Sequence, residues 1–244
     1  NGSASNNWGA ANWSDAISGG APAGFSNGAN VYFTVDGGAG NLSTTLGANR
    51  TINSLTLNAN LGSLLTIANN TLTINAGSGT GIDMTSAGGG LAISSAVTLG
   101  ASQTWLLSPT QALTLSNDLA GAGLTLTVDG NGGGVMNIGE TTNNTYSLGR
   151  IILSNGATLN ATQDNPFGDY TTTLEIQAGS TYNAGGFTDA FAGLSGAGTL
   201  HNYGSGAANQ ALDLRPATGE DYLFSGSFTG TVPQNFQITV GSAQ

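Results

Sequence analysis

Leu91-Ala92-Ile93-Ser94-Ser95-Ala96-Val97-Thr98-Leu99-Gly100 is the stretch that decides the fold. It holds two runs in which apolar residues alternate with small or polar ones, Leu91-Ala92-Ile93 and Val97-Thr98-Leu99, and the second stops at a glycine. Alternation over three to five residues, bounded by turn formers, describes a short strand with one buried face. The same triplet recurs in both directions as Leu55-Thr56-Leu57, Leu72-Thr73-Ile74, Leu113-Thr114-Leu115, Met136-Asn137-Ile138, Leu174-Glu175-Ile176 and Leu212-Asp213-Leu214. Secondary runs lie between them: Trp105-Leu106-Leu107, Leu124-Thr125-Leu126 and Ile152-Leu153.

From Leu57 to Ile74 is 17 residues, to Ile93 a further 19, to Leu115 another 22 and to Ile138 another 23. Two intervals of 38 follow, to Ile176 and to Leu214, each divisible into two of 19. A period near 20 predicts a solenoid, whose units cannot bury an apolar edge until neighbours stack on them. At that period the chain makes roughly ten coils, an all-β parallel β-helix.

Two other folds compete. Ile52, Leu55, Leu57 and Asn60 fit one leucine-rich repeat, but the match occurs once and no helical return segment follows. Strand spacing by itself also permits an antiparallel sandwich or barrel.

Composition narrows the class. The 244 residues allow one sizeable core, and 39% are hydrophobic, spread in regular runs unlike those of a disordered chain. Only 7% are charged, lysine is absent, and Arg50, Arg150 and Arg215 face 13 acids for a net charge of -10. A nucleic-acid or anionic-membrane surface needs clustered cations, so neither partner is expected. No apolar run approaches the ~20 residues of a membrane-spanning helix. Cysteine is absent, and the chain begins at Asn1, as a processed or trimmed chain would.

The ends differ from the middle. Residues 1–35 hold Trp8, Trp13, Phe25, Tyr32 and Phe33 and are expected to cap the first coil, leaving 36–244 as the body. Asn12-Trp13-Ser14-Asp15 suits a single helical turn. Phe236-Gln237-Ile238-Thr239-Val240 reads as a terminal strand with an open edge, which suggests end-to-end stacking into a fibre.

Residues 135–200 resemble the autotransporter-associated β-strand repeat of bacterial passenger domains. The likeness is carried by Met136-Asn137-Ile138-Gly139, Asn144-Thr145-Tyr146 and Ile152-Leu153-Ser154-Asn155-Gly156-Ala157-Thr158-Leu159. It continues through Asn165-Pro166-Phe167-Gly168 and Gly193-Leu194-Ser195-Gly196-Ala197-Gly198-Thr199-Leu200. Phe167 stands where the repeat usually has leucine, and Gly156-Ala157-Thr158-Leu159 has one extra residue. The resemblance implies a right-handed β-helix exported to a bacterial surface.

Candidate chemistry is sparse. Asp129, Asn131, Gly134 and Glu140 occupy positions 1, 3, 6 and 12 of an EF-hand-like calcium loop, yet position 5 is Gly133 and the flanks are strand-like. No metal or cofactor is expected. A polysaccharide-cleaving β-helix needs grouped acids. Asp164 with Asp169 sits at a turn around Pro166, and Glu220 and Asp221 are adjacent and point apart if extended. His201 has Ser195 and Ser205 near it in sequence without a nucleophile elbow, and Asp213 and Arg215 suit a surface ion pair. No catalytic residue is assigned.

Asn53, Asn58, Asn75, Asn117, Asn137, Asn155 and Asn160 recur near coil corners, where stacked amides form ladders. The sequons at Asn41 and Asn143 are ordinary for this composition. The reading is an extracellular structural or adhesive module. Glycan binding through Trp8, Trp13, Tyr146 or Tyr182 stands second, and a polysaccharide lyase or hydrolase third.

Overall fold

A computed structural model describes residues 6–11, 13–14, 21, 23–34, 42–77, 79–139, 147–167, 170–202, 210–230 and 236–241. It is an all-β solenoid of about seven stacked turns, without a helix among the described residues. β1 (Ala29–Phe33) precedes the first full turn, which is β2 (Ser43–Thr45) and the long β3 (Arg50–Leu57). The second turn is β4 (Leu65–Ala68), β5 (Thr71–Ile74) and β6 (Thr80–Asp83). The third is β7 (Leu91–Ile93), β8 (Ala96–Leu99) and β9 (Gln103–Leu106). β10 (Leu113–Leu115) and β11 (Leu119–Asp129) make the fourth, and β12 (Val135–Ile138) and β13 (Ser147–Ser154) the fifth. β14 (Thr158–Ala161) and β15 (Thr173–Ile176) lie in the sixth. The seventh is β16 (Thr181–Asn183), β17 (Asp189–Phe191) and β18 (Gly193–Gly196). β19 (Thr199–Asn202), β20 (Gln210–Leu214), β21 (Ser227–Gly230) and β22 (Phe236–Val240) carry two faces onward.

Every pairing between these strands is parallel, which excludes the hairpin alternative. One sheet stacks β2, β4, β7, β10, β12, β14, β16, β19 and β21. The long strands turn a corner between the other two faces: β3 pairs β5 through Arg50–Ile52 and β6 through Leu55–Thr56. β11 does the same with β8 and β9.

Alternation sorts the side chains as the sequence suggests. Leu65, Leu91, Leu113, Met136, Leu159, Tyr182 and Leu200 pair in register along the first sheet and are all buried. Their separations through Tyr182 are 26, 22, 23, 23 and 23 residues, so a turn is longer than the expected 20. The body from β2 to β18 holds about seven such turns, not ten. The triplet at Leu57 lies on the β3–β6 face, the one at Ile74 on the β5–β8 face, and the one at Ile93 on the first sheet. Stepping back one face per turn shortens the apparent period to 17 and 19. The two intervals of 38 also compare different faces, because Ile138, Ile176 and Leu214 belong to three separate sheets.

Ile52, Leu55 and Leu57 all point into this core, with no leucine-rich-repeat helix beside them. Trp8 is buried against Leu46 and the first turn, and Trp13, Phe25 and Phe33 pack around it at ring separations of 4.9, 5.2 and 6.1 Å. Trp13 bridges Ala23 rather than opening a helical turn; Asn12 and Asp15 lie outside the described residues. Gln103 is a polar residue that points inward. Gln103 donates to Ile74 O at 2.9 Å and accepts from Trp105 Nε1 at 3.0 Å, and Gly81 leaves it room, since a Cβ there would sit 1.7 Å from the Gln103 oxygen.

Corners obey a second steric rule. A Cβ on Gly130 would lie 2.2 Å from the Ala157 nitrogen in the next turn, whereas one on Gly62 would meet nothing within 4 Å. Gly130→Ala is expected to cost about 1–3 kcal/mol by overpacking. Gly62→Ala should change stability by no more than about 0.5 kcal/mol. Guanidinium titration of both variants checks the pair: equal midpoints would contradict the corner contact.

Candidate functional site

The most regular polar feature is a column on the outside of the first sheet. Thr66, Ala92, Thr114, Asn137, Asn160, Asn183, His201 and Thr229 stand in register on successive turns. Asn183 Nδ2 donates to Asn160 Oδ1 at 3.2 Å, Asn160 Nδ2 to Asn137 Oδ1 at 2.8 Å, and Asn137 Nδ2 reaches Thr114 Oγ1 at 3.4 Å. His201 Nδ1 lies 2.5 Å from Thr229 Oγ1, and desolvation lowers the His201 pKa. The single histidine thus extends a polar ladder. Ser195 lies on a different sheet, and Ser205 is outside the described residues.

Other asparagines act singly between turns. Asn117 Nδ2 donates to Ser94 O at 2.9 Å and Asn155 Nδ2 to Asp129 Oδ1 at 3.0 Å. Asn75 presses its amide toward Gly100, where a Cβ would be 2.0 Å from its oxygen. Exposed Asn58 works through its backbone, donating to Phe33 O and accepting from Leu61 N–H. A Cβ on Gly77 would lie 3.9 Å from the Asn53 amide oxygen, an ordinary contact.

The acids singled out by motif serve turns. Asp129 Oδ1 also accepts the Asn131 N–H at 2.8 Å, and Asn131 and Gly132 make a corner with φ of 48° and 87°. Glu140 lies outside the described residues, among which no group of three metal-binding side chains gathers. Asp164 accepts the Thr188 N–H of the next turn at 2.8 Å, while Asp169 lies outside the described residues. Glu220 and Asp221 are exposed.

Asp213 and Arg215 do form their ion pair, at 3.0 Å, and Tyr170 joins it. The Tyr170 hydroxyl donates to Asp213 Oδ2 at 2.6 Å while the Arg215 guanidinium stacks 3.9 Å from the ring centroid. Sequence reasoning missed the tyrosine because it is 43 residues from Asp213. Arg150 and Glu175 form a second pair across turns.

Of the aromatic platforms proposed for glycans, Trp8 and Tyr182 are fully buried and Trp13 is half-buried. Tyr146 lies outside the described residues. Tyr182 packs with Phe167 and Phe191 at 6.3 and 5.7 Å inside the sixth and seventh turns, and Asp189 is buried beside it. Burial pushes the Asp189 carboxyl well above its usual range; the Tyr182 hydroxyl opposes this, and Asp164 adds to it. The hydroxyl and both carboxyl oxygens make no hydrogen bond of ordinary geometry, so the phenol acts on the acid without properly satisfying it. An inward acid has no sequence signal, because Asp189 looks like any polar residue near a turn. Compared with known protein families, curated proteins and solved structures, the chain has no match.

Two outcomes are expected. Asn160→Ala removes a donor and an acceptor from the half-buried ladder and should cost about 1–2 kcal/mol. Asn58→Ala, at an exposed amide, should stay within about 0.5 kcal/mol; equal losses in thermal melts would refute the ladder. For Asp189 the folded pKa exceeds the unfolded value of about 3.9. Between the two the native state holds a proton that the unfolded chain has lost. Stability therefore falls as pH rises above about 4, by up to about 1.4 kcal/mol per unit. Asp189→Asn should remove that slope, so its advantage over the parent in denaturant melts grows from pH 4 to 7.

Proposed function

We propose that this chain is a non-enzymatic structural or adhesive rod, the right-handed β-solenoid module of a bacterial cell surface. The observation that carries the proposal is how its polar groups are used. The Thr–Asn column joins turn to turn, and Asp129, Asp164 and Asp213 each accept hydrogen bonds from neighbouring turn or strand groups. A β-helix that cleaves polysaccharide keeps acids together and open to substrate. Here Asp129 and Asp164 are taken up at corners and Asp213 in an ion pair. The parallel all-β fold and the Gly-Asn corners of residues 135–200 agree with the resemblance to passenger-domain repeats. Asn155-Gly156 turns with φ of 50° and 77° between β13 and β14.

Seven turns at ~4.8 Å per step give a body roughly 34 Å long, extended further by the terminal strands. Faces of neutral hydroxyls and amides with few charges suit a spacer or a broad, weak contact surface. Glycan binding is the second reading, with Tyr32 and Tyr222 as its exposed aromatics.

The test is direct. Cells displaying the chain should adhere or self-associate more than cells displaying an unrelated domain. Incubated with neutral and acidic polysaccharides, the purified chain should release no new reducing or unsaturated ends. Product release abolished by Asp164→Ala would overturn the proposal.

A further inference from the structure

Asp189 is 2% exposed, yet the corner that leads to it reaches water: Gly185, Gly186, Phe187 and Thr188 are each half-buried. The corner begins on two left-handed glycines, Gly185 and Gly186, with φ of 64° and 86°. Glycine takes such angles without strain, so the pair is suited to act as a hinge. Past the glycines, the turn below holds this segment with a corner of its own rather than with a strand. Asn165 N–H donates to Thr188 O at 2.6 Å, Thr188 N–H to Asp164 Oδ1 at 2.8 Å and Ala190 N–H to Asn165 Oδ1 at 3.3 Å. The last two bonds end on side chains, a thinner attachment than the backbone ladder that joins the strands.

Inside the corner, the Asp189 oxygens and the Tyr182 hydroxyl make no hydrogen bond of ordinary geometry. A carboxyl so placed is tolerated when neutral, because an unpaired charge out of water costs far more. Its acidic neighbour adds to that cost: Asp164, which holds Thr188, also carries the charge that opposes ionisation of Asp189. Among the described residues no cation balances the two acids. Arg215 of β20 is engaged with Asp213 and Tyr170, and Arg150 of β13 with Glu175 of β15. His201 of β19 stands in the outward column of the first sheet, beside Thr229. An ionised Asp189 regains water if the corner swings out on its glycines, and Phe191 can stay in the core. We infer that residues 185–189 form a pH-sensitive strap, closed over the sixth and seventh turns in acid and loosened as the pH rises. Opening the strap need not melt the rod, since each turn contacts only its neighbours.

The strap goes beyond the overall loss of stability expected for Asp189, because its opening is confined to one corner. Hydrogen exchange of the full chain, corrected for the intrinsic pH dependence of amide exchange, separates the two. From about pH 5 to about pH 8 the amides of residues 185–189 should lose protection by up to about tenfold per pH unit, while those of β4 and β7 keep theirs. Asp189→Asn keeps the shape and cannot ionise, so it should hold the protection of the strap constant. Asp164→Asn retains an oxygen for the Thr188 N–H and removes the neighbouring charge, so the loss should level off at a lower pH than in the parent. Three results would each overturn the inference: strap protection that does not change with pH, a change that survives Asp189→Asn, or a loss shared equally by β4 and β7.

Discussion

Each turn of this protein buries its apolar side chains only because the next turn lies on it in register. A strand of three or four residues hides one or two aliphatic groups, each contributing about 1.5–3 kcal/mol when fully removed from water. That is too little to hold a lone turn against the entropy of ordering more than twenty residues. Stacked parallel, the same residues become continuous columns, and the backbone groups of all three faces find partners between turns. Register is strict, since a slip of one residue would turn every inward side chain outward.

The corners follow from the same demand. Adjacent turns sit one strand spacing apart, so a corner residue with a Cβ pointing along the stack strikes the backbone above or below. Gly130 meets Ala157 in this way, and Gly88 would meet the Ala59 carbonyl. Asparagine takes left-handed corners at Asn69, Asn70, Asn131, Asn155 and Asn165, where its short amide tolerates positive φ. The glycine and asparagine content is thus a consequence of close-stacked turns.

Polar groups divide by whether the stacking satisfies them. Outer amides bond up and down the column, and inward Gln103 bonds both to Trp105 and to backbone. Inward Asp189 and Tyr182 do not, and an unsatisfied buried polar group costs roughly 1–3 kcal/mol. The aromatic cluster of Phe167, Tyr182 and Phe191 surrounds this defect in the sixth and seventh turns.

Alternating triplets such as Leu91-Ala92-Ile93, and glycines and asparagines between them, determined the strands, their buried faces and the solenoid class. Those features are local, set by a two-residue side-chain period and by turn chemistry. The length of a turn was not legible, because Leu57, Ile74 and Ile93 look alike in sequence although they line three different faces. Which polar residues meet was decided only by the tertiary structure. Tyr170 reaches Asp213 across 43 residues, Asn160 finds Asn137 and Asn183 one turn away on either side, and Asp189 turns inward. The physical reason is that alternation specifies in or out for each strand, while the number of residues absorbed at each corner specifies what lies above it.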